Sequence, residues 1–158
     1  MQRRLRLLFV CSMNRSRSPT AEILYKDDPR IETRSAGARV TAKRPVTADE
    51  LQWADIAFVM EREQKHWIAA HFKESSLPII EILEIPDDYS YMAPNLQERL
   101  RLSVDSILGR FLDRPDVLAA LLARRATRSG RTGRQSQPPF KSALPPARQS
   151  KPPFKIRS

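Results

Sequence analysis

Short apolar runs alternate with amphipathic segments along most of the chain, which has 158 residues. Compact runs rich in Leu, Ile, Val and Phe predict buried strands. Four such runs are present, at Leu5–Val10, Ile31–Ser35, Ile56–Met60 and Pro78–Ile85. Strands that alternate with helices favour a parallel sheet covered on both faces. We therefore predict an α/β three-layer sandwich, with a four-stranded parallel sheet and helices on both faces.

Helical signals fill the intervals between these runs. Ser18 and Pro19 predict the N-cap and first position of a helix that continues over Thr20–Lys26. Further helices are predicted from the capping box Thr47–Glu50 through Trp53, over Arg62–Phe72, and from Pro94 along an apolar stripe, with Val117–Ala126 as an extension after a break at Pro115.

Charge divides the chain into two parts. All 18 acidic residues lie at or before Asp116, whereas ten of the 28 basic residues follow Leu118. From Thr127 onward large apolar residues are scarce, and such a segment buries too little surface to offset the entropy of ordering. We predict one domain over residues 1–126 and a disordered, basic, Pro-rich tail over 127–158, in which Pro-Pro-Phe-Lys occurs twice. The tail favours weak contact with polyanions but lacks the aromatic spacing that specific nucleic-acid recognition needs.

Cys11 is the one cysteine of the chain, and no Cys/His cluster has the spacing of zinc ligands. A lone thiol is typical of a reducing compartment. The apolar N-terminal stretch is soon broken by Asn14 and Arg15, no small-residue cleavage site follows, and no apolar run reaches membrane-spanning length. We expect a cytoplasmic protein with no membrane span, no metal and no cofactor.

The polar segment Cys11–Arg17 lies between the first predicted strand and a helix start. Backbone N–H groups of such a loop can converge into an anion nest, and the helix N-terminus adds positive potential. A cysteine at the mouth of this nest is expected to be a nucleophilic thiolate. The Arg17 guanidinium is a planar fork of donors that suits two phosphoryl oxygens. The segment therefore predicts chemistry on a phosphate monoester.

Neighbouring side chains are expected to support this loop. Ser18 can donate its hydroxyl to the Cys11 sulfur when that sulfur departs, and Asn14 can brace the curled backbone. The expected phosphate-binding or loop-supporting positions are Ser12, Met13, Asn14, Arg15, Ser16 and Ser18.

The segment Val10–Glu22, V-C-S-M-N-R-S-R-S-P-T-A-E, resembles the loop V-C-x-x-N-x-x-R-S-P-x-A-E of the low-molecular-weight protein tyrosine phosphatases. Arg34–Gly37 is similar to the end of that family's second strand, and Trp53–Met60 is similar to its third-strand region. The resemblance implies a flavodoxin-like, phosphotyrosine phosphatase I-like fold, and it implies that Ser35 joins the hydrogen-bond network of the loop.

The chain departs from the family pattern at three places. Met13 replaces a glycine, Ser16 replaces a second loop cysteine, and the segment between Gly37 and Thr47 is short. The short segment predicts a compact member with a more open rim around the loop, and Met13 is expected either to crowd the pocket or to line it.

Hydrolysis also needs a proton donor for the leaving group. The family has an aspartate in the sequence D-P-Y-Y after its fourth strand, and this chain has Pro86-Asp-Asp-Tyr-Ser-Tyr91 there. The resemblance implies Asp87 as the general acid, with Asp88 as the alternative. Tyr89 and Tyr91 are expected either to line the entrance as substrate contacts or to pack on the edge of the core.

Together these features predict a phosphomonoester hydrolase of the protein-tyrosine-phosphatase type that acts through a phosphocysteine intermediate. Its partner would be a phosphorylated protein or a small phosphomonoester. The alternative is a catalytically weak module of the same fold that binds phosphate or phosphopeptides.

Overall fold

A computed structural model describes residues 3–73 and 75–132 of the chain. Its strands are β1 (Leu5–Cys11), β2 (Ile31–Gly37), β3 (Ile56–Val59) and β4 (Ile79–Ile82). Its helices are α1 (Arg17–Tyr25), α2 (Ala48–Trp53), α3 (Arg62–His71), α4 (Pro94–Leu112) and α5 (Pro115–Thr132). The predicted alternation of strands and helices is confirmed.

The four strands form one parallel sheet in the order β2-β1-β3-β4. Cys11 pairs with Gly37 across the β1–β2 ladder, and Val10 pairs with Val59 across the β1–β3 ladder. Because all the strands run the same way, the loops that follow them meet at one edge of the sheet. That edge is where ligands bind in open α/β sheets.

Helices cover both faces of the sheet, as the sequence predicts. On one face, Phe9 and Phe58 stack on each other and Tyr25 stacks on Phe9, beneath apolar residues of α1 and α4. On the other face, Leu8 and Val10 pack with residues of α2 and α3. Nearly every β1 side chain is therefore buried, which fixes the position at which Cys11 leaves the sheet.

Helix α1 begins two residues earlier than the Ser18-Pro19 signal predicts. Ser16 is the N-cap and Arg17 is the first helical residue, so Pro19 is the third. The reason is that the Ser18 hydroxyl points into the loop, where it contacts Cys11 and Asn14, and does not cap the helix. Pro19 is tolerated because the N–H groups of a first helical turn have no intrahelical partner.

Helix α5 continues to Thr132 and so passes the predicted domain boundary at residue 126. Within this extension Arg128 is buried, and its guanidinium donates to the carbonyls of Ala54 (2.6 Å) and Leu51 (3.4 Å). The boundary prediction was too early because Arg128 belongs to the folded unit. The rest of the predicted tail, including both Pro-Pro-Phe-Lys segments, lies outside the described residues.

Within residues 3–73 and 75–132, no helix combines the length and the apolar character needed to cross a lipid bilayer.

Candidate active site

The loop between β1 and α1 curls around Asn14, which has a left-handed backbone (φ 58°) that asparagine tolerates better than most residues. The buried Asn14 amide donates to Ser18 Oγ at 2.9 Å and to Ser35 Oγ at 3.1 Å. Ser35 in turn donates to Glu22 of α1 at 2.5 Å. One hydrogen-bonded chain of side chains therefore holds the loop against β2 and α1.

Cys11 lies at the end of β1, at the foot of this loop. Its Sγ is 3.0 Å from Ser18 Oγ, and the residue is 2% exposed. The Ser18 hydroxyl also lies 3.3 Å from the Ala36 carbonyl oxygen. The sulfur thus has a hydroxyl in hydrogen-bond contact at the N-terminus of α1, which is an arrangement that stabilises negative charge on sulfur.

Arg17 is 1% exposed, although it carries a full charge. Its Nη1 donates to the Ile85 carbonyl at 2.7 Å and to Glu61 Oε1 at 3.0 Å. Its Nε is buried and has no hydrogen-bond partner among the described residues. A buried charged donor without an acceptor is costly, so the donor fits an anion bound beside it.

The loop after β4 brings Asp87 to this guanidinium. Asp87 Oδ1 is 3.6 Å from Arg17 Nε, which is ion-pair distance but too long for a hydrogen bond, and the Asp87 side chain is 68% exposed. Asp88 is exposed and forms no ion pair or hydrogen bond with the residues described. Of the two candidate acids, Asp87 is the one beside Arg17.

The two tyrosines of this loop lie in different surroundings. Tyr89 is half-buried against the core under α4, whereas Tyr91 is 53% exposed. The Tyr89 hydroxyl accepts a hydrogen bond from Arg99 of α4 at 3.4 Å, and Arg99 also donates to the Glu84 carbonyl at 2.8 Å. Arg99 therefore joins both ends of the segment that carries Asp87.

Glu61 and Gln64 are functional candidates that the sequence analysis missed. Glu61 and Gln64 form a capping box at the start of α3, and the Gln64 amide also donates to Ser12 Oγ at 3.1 Å. Glu61 meanwhile accepts from Arg17. The spacing Glu-x-x-Gln is not a usual cap signal, because Ser, Thr, Asp or Asn is expected at the N-cap, and it carries no information on contacts with the β1–α1 loop.

The segment between β2 and α2, residues 38–46, packs directly against the β1–α1 loop. Ala38 N donates to the Cys11 carbonyl at 2.8 Å, and Lys43 N donates to the Met13 carbonyl at 3.1 Å. Met13 Sδ is 4.0 Å from Thr41 Oγ1. Met13, which is half-buried, therefore lies under this segment, while Arg15 is exposed on the loop.

The structure thus gathers most of the predicted positions at one edge of the sheet. Cys11, Asn14, Ser18 and Ser35 are linked by side-chain contacts of at most 3.1 Å. Arg17 and Asp87 form a second set, with 3.6 Å between their nearest charged atoms. Glu61 and Gln64 connect this second set to Ser12, the neighbour of Cys11. Ser16 contributes the N-cap of α1, where its carbonyl accepts from Thr20 N at 3.0 Å. Asp88 and Tyr91 form no hydrogen bond or ion pair with these described residues.

Comparison with known proteins gives structural matches only. No family model matches the chain, and no curated protein matches it. Among solved structures, the low-molecular-weight protein tyrosine phosphatase SP-PTP from Streptococcus pyogenes is similar over 73% of this chain and 97% of its own, with a TM-score of 0.57 and 15% identity. The low-molecular-weight protein tyrosine phosphatase from T. tengcongensis matches 67% of this chain and 99% of its own, with a TM-score of 0.54 and 19% identity.

A third similar structure has another substrate in its name. The YwlE arginine phosphatase from Geobacillus stearothermophilus matches 70% of this chain and 97% of its own, with a TM-score of 0.53 and 20% identity. At identities of 15%, 19% and 20%, these similarities establish the fold alone. The fold of this chain is that of the low-molecular-weight protein tyrosine phosphatases.

Proposed function

We propose that this protein is a phosphomonoester hydrolase that works through a phosphocysteine intermediate, with Cys11 as nucleophile, Arg17 as phosphoryl-binding group and Asp87 as general acid. The observation that carries the proposal is the buried Nε of Arg17, which lacks a hydrogen-bond acceptor and lies 3.6 Å from Asp87. A phosphoryl oxygen at this position would accept from that donor, next to the carboxyl group that protonates the leaving oxygen.

In the first step, the Cys11 thiolate attacks phosphorus in line with the leaving oxygen. An S–P bond forms, the P–O bond to the alcohol or phenol breaks, and the Asp87 carboxylic acid gives its proton to the departing oxygen. Charge on the equatorial oxygens is stabilised by Arg17, by the loop N–H groups and by the N-terminus of α1.

In the second step, Asp87 is a carboxylate and takes a proton from a water molecule. That water attacks phosphorus, the S–P bond breaks, and inorganic phosphate is released. The sulfur leaves as a thiolate, and Ser18 is positioned to donate a hydrogen bond to it at 3.0 Å. The proton that Asp87 gave to the leaving oxygen is thereby replaced by one from water, and Asp87 returns to its acid form.

The substrate class is a phosphorylated protein side chain, with phosphotyrosine as the first expectation. The names of the similar structures support phosphatase chemistry on protein side chains in general, since they include both tyrosine and arginine phosphatases. A single-cysteine enzyme of this kind suits a reducing compartment such as the cytoplasm. The basic residues after Thr132 add weak attraction for polyanions.

The test is hydrolysis of para-nitrophenyl phosphate in the presence of a chelator, with Cys11→Ser as the variant. We expect turnover by the natural chain and a loss of at least about 10³-fold in Cys11→Ser, because an un-ionised hydroxyl replaces the thiolate. Iodoacetate should inactivate the natural chain, and inorganic phosphate should protect it. Full activity in Cys11→Ser would rule out the assigned nucleophile. Protection by phosphate without any turnover would favour the phosphate-binding module.

A further inference from the structure

The border of the β1–α1 loop carries three basic side chains that have no partner. Arg15 lies on the loop itself, and Arg39 and Lys43 lie on residues 38–46 beside it. All three are exposed, and none forms an ion pair or a side-chain hydrogen bond with another described residue. Arg44, by contrast, pairs with Glu50 at 3.7 Å. We call Arg15, Arg39 and Lys43 the basic border.

Main-chain hydrogen bonds fix where the basic border lies. Ala38 N donates a hydrogen bond to the Cys11 carbonyl, so Arg39 is the next residue after one that contacts the Cys11 backbone. Lys43 N is bonded to the Met13 carbonyl, two residues from Arg15. The backbones that carry the three cations therefore adjoin the β1–α1 loop, and each side chain is long enough to reach a group that projects from a bound substrate.

The opposite side of the loop has the reverse charge. Asp87 and Asp88 lie there, on the segment that follows β4, and both are exposed. Since β2 and β4 are the two edges of the sheet, Arg39 and Lys43, which follow β2, stand on the opposite side of Cys11 from these two aspartates. An asymmetric field of this kind selects the charge and the orientation of a substrate beyond its phosphoryl group.

We infer that the basic border is a second anion-binding subsite, which recognises carboxylates of an acidic peptide segment beside the phosphorylated residue. This inference rests on the proposed function and names the substrate class of the same site. The subsite would contact the flanking residues on one side only, because the carboxylates on the β4 side repel an acidic flank there. Neutral or basic residues beside the phosphorylated residue would not be attracted by the basic border.

The experiment compares phosphotyrosine peptides in two matched pairs. One pair has aspartate or asparagine only before the phosphorylated residue, and the other pair has the same change only after it. The pair with the larger difference reports the subsite. For the full natural chain, kcat/KM should be about fivefold higher for the aspartate peptide at low ionic strength. Raising ionic strength from about 0.05 M to about 0.5 M should remove most of that preference, because exposed charges are screened over a shorter distance.

The double variant Arg39→Gln/Lys43→Gln should lower the ratio of the two kcat/KM values toward one. Its matched control is Lys73→Gln/Arg124→Gln, which removes the same charge from two exposed positions, one just after α3 and one on α5. The control should keep the ratio of the natural chain. Both variants keep all basic residues after Thr132, so attraction between those residues and the acidic peptide is common to them.

The outcomes separate the two proposals. If the natural chain hydrolyses para-nitrophenyl phosphate but treats the aspartate and asparagine peptides alike in both pairs, the subsite is refuted and the proposed function stands. An equal fall of the ratio in both double variants would also refute the subsite, because it would assign the preference to overall charge. If no substrate is hydrolysed, the proposed function fails and the subsite fails with it.

Discussion

The two sides of the Arg17 guanidinium have different tasks. Nη1 is held by the Ile85 carbonyl and by Glu61, whereas Nε faces Asp87 without a hydrogen bond. One part of the group therefore fastens the loops after β3 and β4, and another part is available to an anion. A lysine offers a single nitrogen and could not do both, so Arg17→Lys would not be conservative.

The proposed general-acid role of Asp87 can be tested by substitution. Asp87→Asn should lower kcat about 10²-fold for an alkyl phosphate, whose leaving group needs a proton, and much less for para-nitrophenyl phosphate. The measurement is kcat across a series of leaving groups of increasing basicity. The slope against leaving-group pKa should be steeper in the variant than in the natural chain.

Asp88→Asn is the matched control, since it removes the same charge from the adjacent residue. We expect its leaving-group dependence to equal that of the natural chain, because Asp88 lacks contact with Arg17. A steeper slope for Asp88→Asn than for Asp87→Asn would exchange the two roles.

For single residues, the sequence predicts contacts within one segment well and contacts between distant segments poorly. Cys11, Asn14 and Arg17 could be chosen because they lie within one short segment whose chemistry is self-contained. Gln64 could not be chosen, because its contact with Ser12 spans 52 positions and depends on how α3 sits on the sheet. Tyr89 and Tyr91 look equivalent in the sequence, and only the packing of α4 separates them.

The end of β2 lies close against the β1–α1 loop and against residues 38–46. Gly37 N donates to the Arg44 carbonyl, and the Gly37 carbonyl accepts from Val46 N. A Cβ added at Gly37 would collide with the Ala42 side chain and would lie 2.8 Å from the Ser12 carbonyl oxygen. The absence of a side chain at residue 37 is therefore what lets residues 38–46 approach the loop.

Gly37→Ala should consequently displace the loop backbone. We expect kcat/KM for para-nitrophenyl phosphate to fall at least about tenfold and Tm to fall by several degrees, since backbone atoms on the loop must move. Gly109→Ala on α4 is the control: its added Cβ would meet no atom closer than 3.4 Å, and alanine favours a helix. Unchanged kinetics in Gly37→Ala would show that the loop tolerates the displacement.

The sequence predicts the type and order of the strands and helices because the apolar runs are distinct. It does not predict where α1 begins or where α5 ends. The start of α1 was misplaced because a serine before a proline is the usual cap signal, and here the loop uses that hydroxyl. The end of α5 was misplaced because apolar content alone marked the domain limit. Arg128 is held by hydrogen bonds to carbonyl oxygens, which apolar content does not reveal.

For the whole molecule, a buried ionic cluster opposite the candidate site ties α5 to the sheet. Asp55 is 0% exposed and accepts from Arg125 Nε at 2.9 Å and Nη2 at 2.6 Å, while Arg6 N donates to the same carboxylate at 2.8 Å. Arg125 also donates to the Arg4 carbonyl at 2.7 Å. Loss of one partner of such a pair typically costs about 3–5 kcal/mol, because the other charge stays buried.

Two truncations should therefore behave differently. Ending the chain after Ala126 removes Arg128 and leaves the Leu51 and Ala54 carbonyls without their donor, so Tm should fall by roughly 4–8 °C. Ending it after Thr132 keeps every contact described and should leave Tm and para-nitrophenyl phosphate turnover unchanged. The measurement is thermal unfolding of both proteins beside the full chain. Equal Tm values for the two truncations would show that Arg128 contributes nothing.

The hydrogen bonds of residues 38–46 to the β1–α1 loop have a consequence for how this molecule can diversify. Because Ala38 and Lys43 use main-chain groups for these bonds, the side chains at 39, 41, 43 and 44 can be exchanged without releasing the backbone. Substrate recognition at these positions can thus change while the Cys11 sulfur and the Arg17 guanidinium keep their places. A library randomised at those four positions would alter what the protein acts upon and leave intact the way it acts.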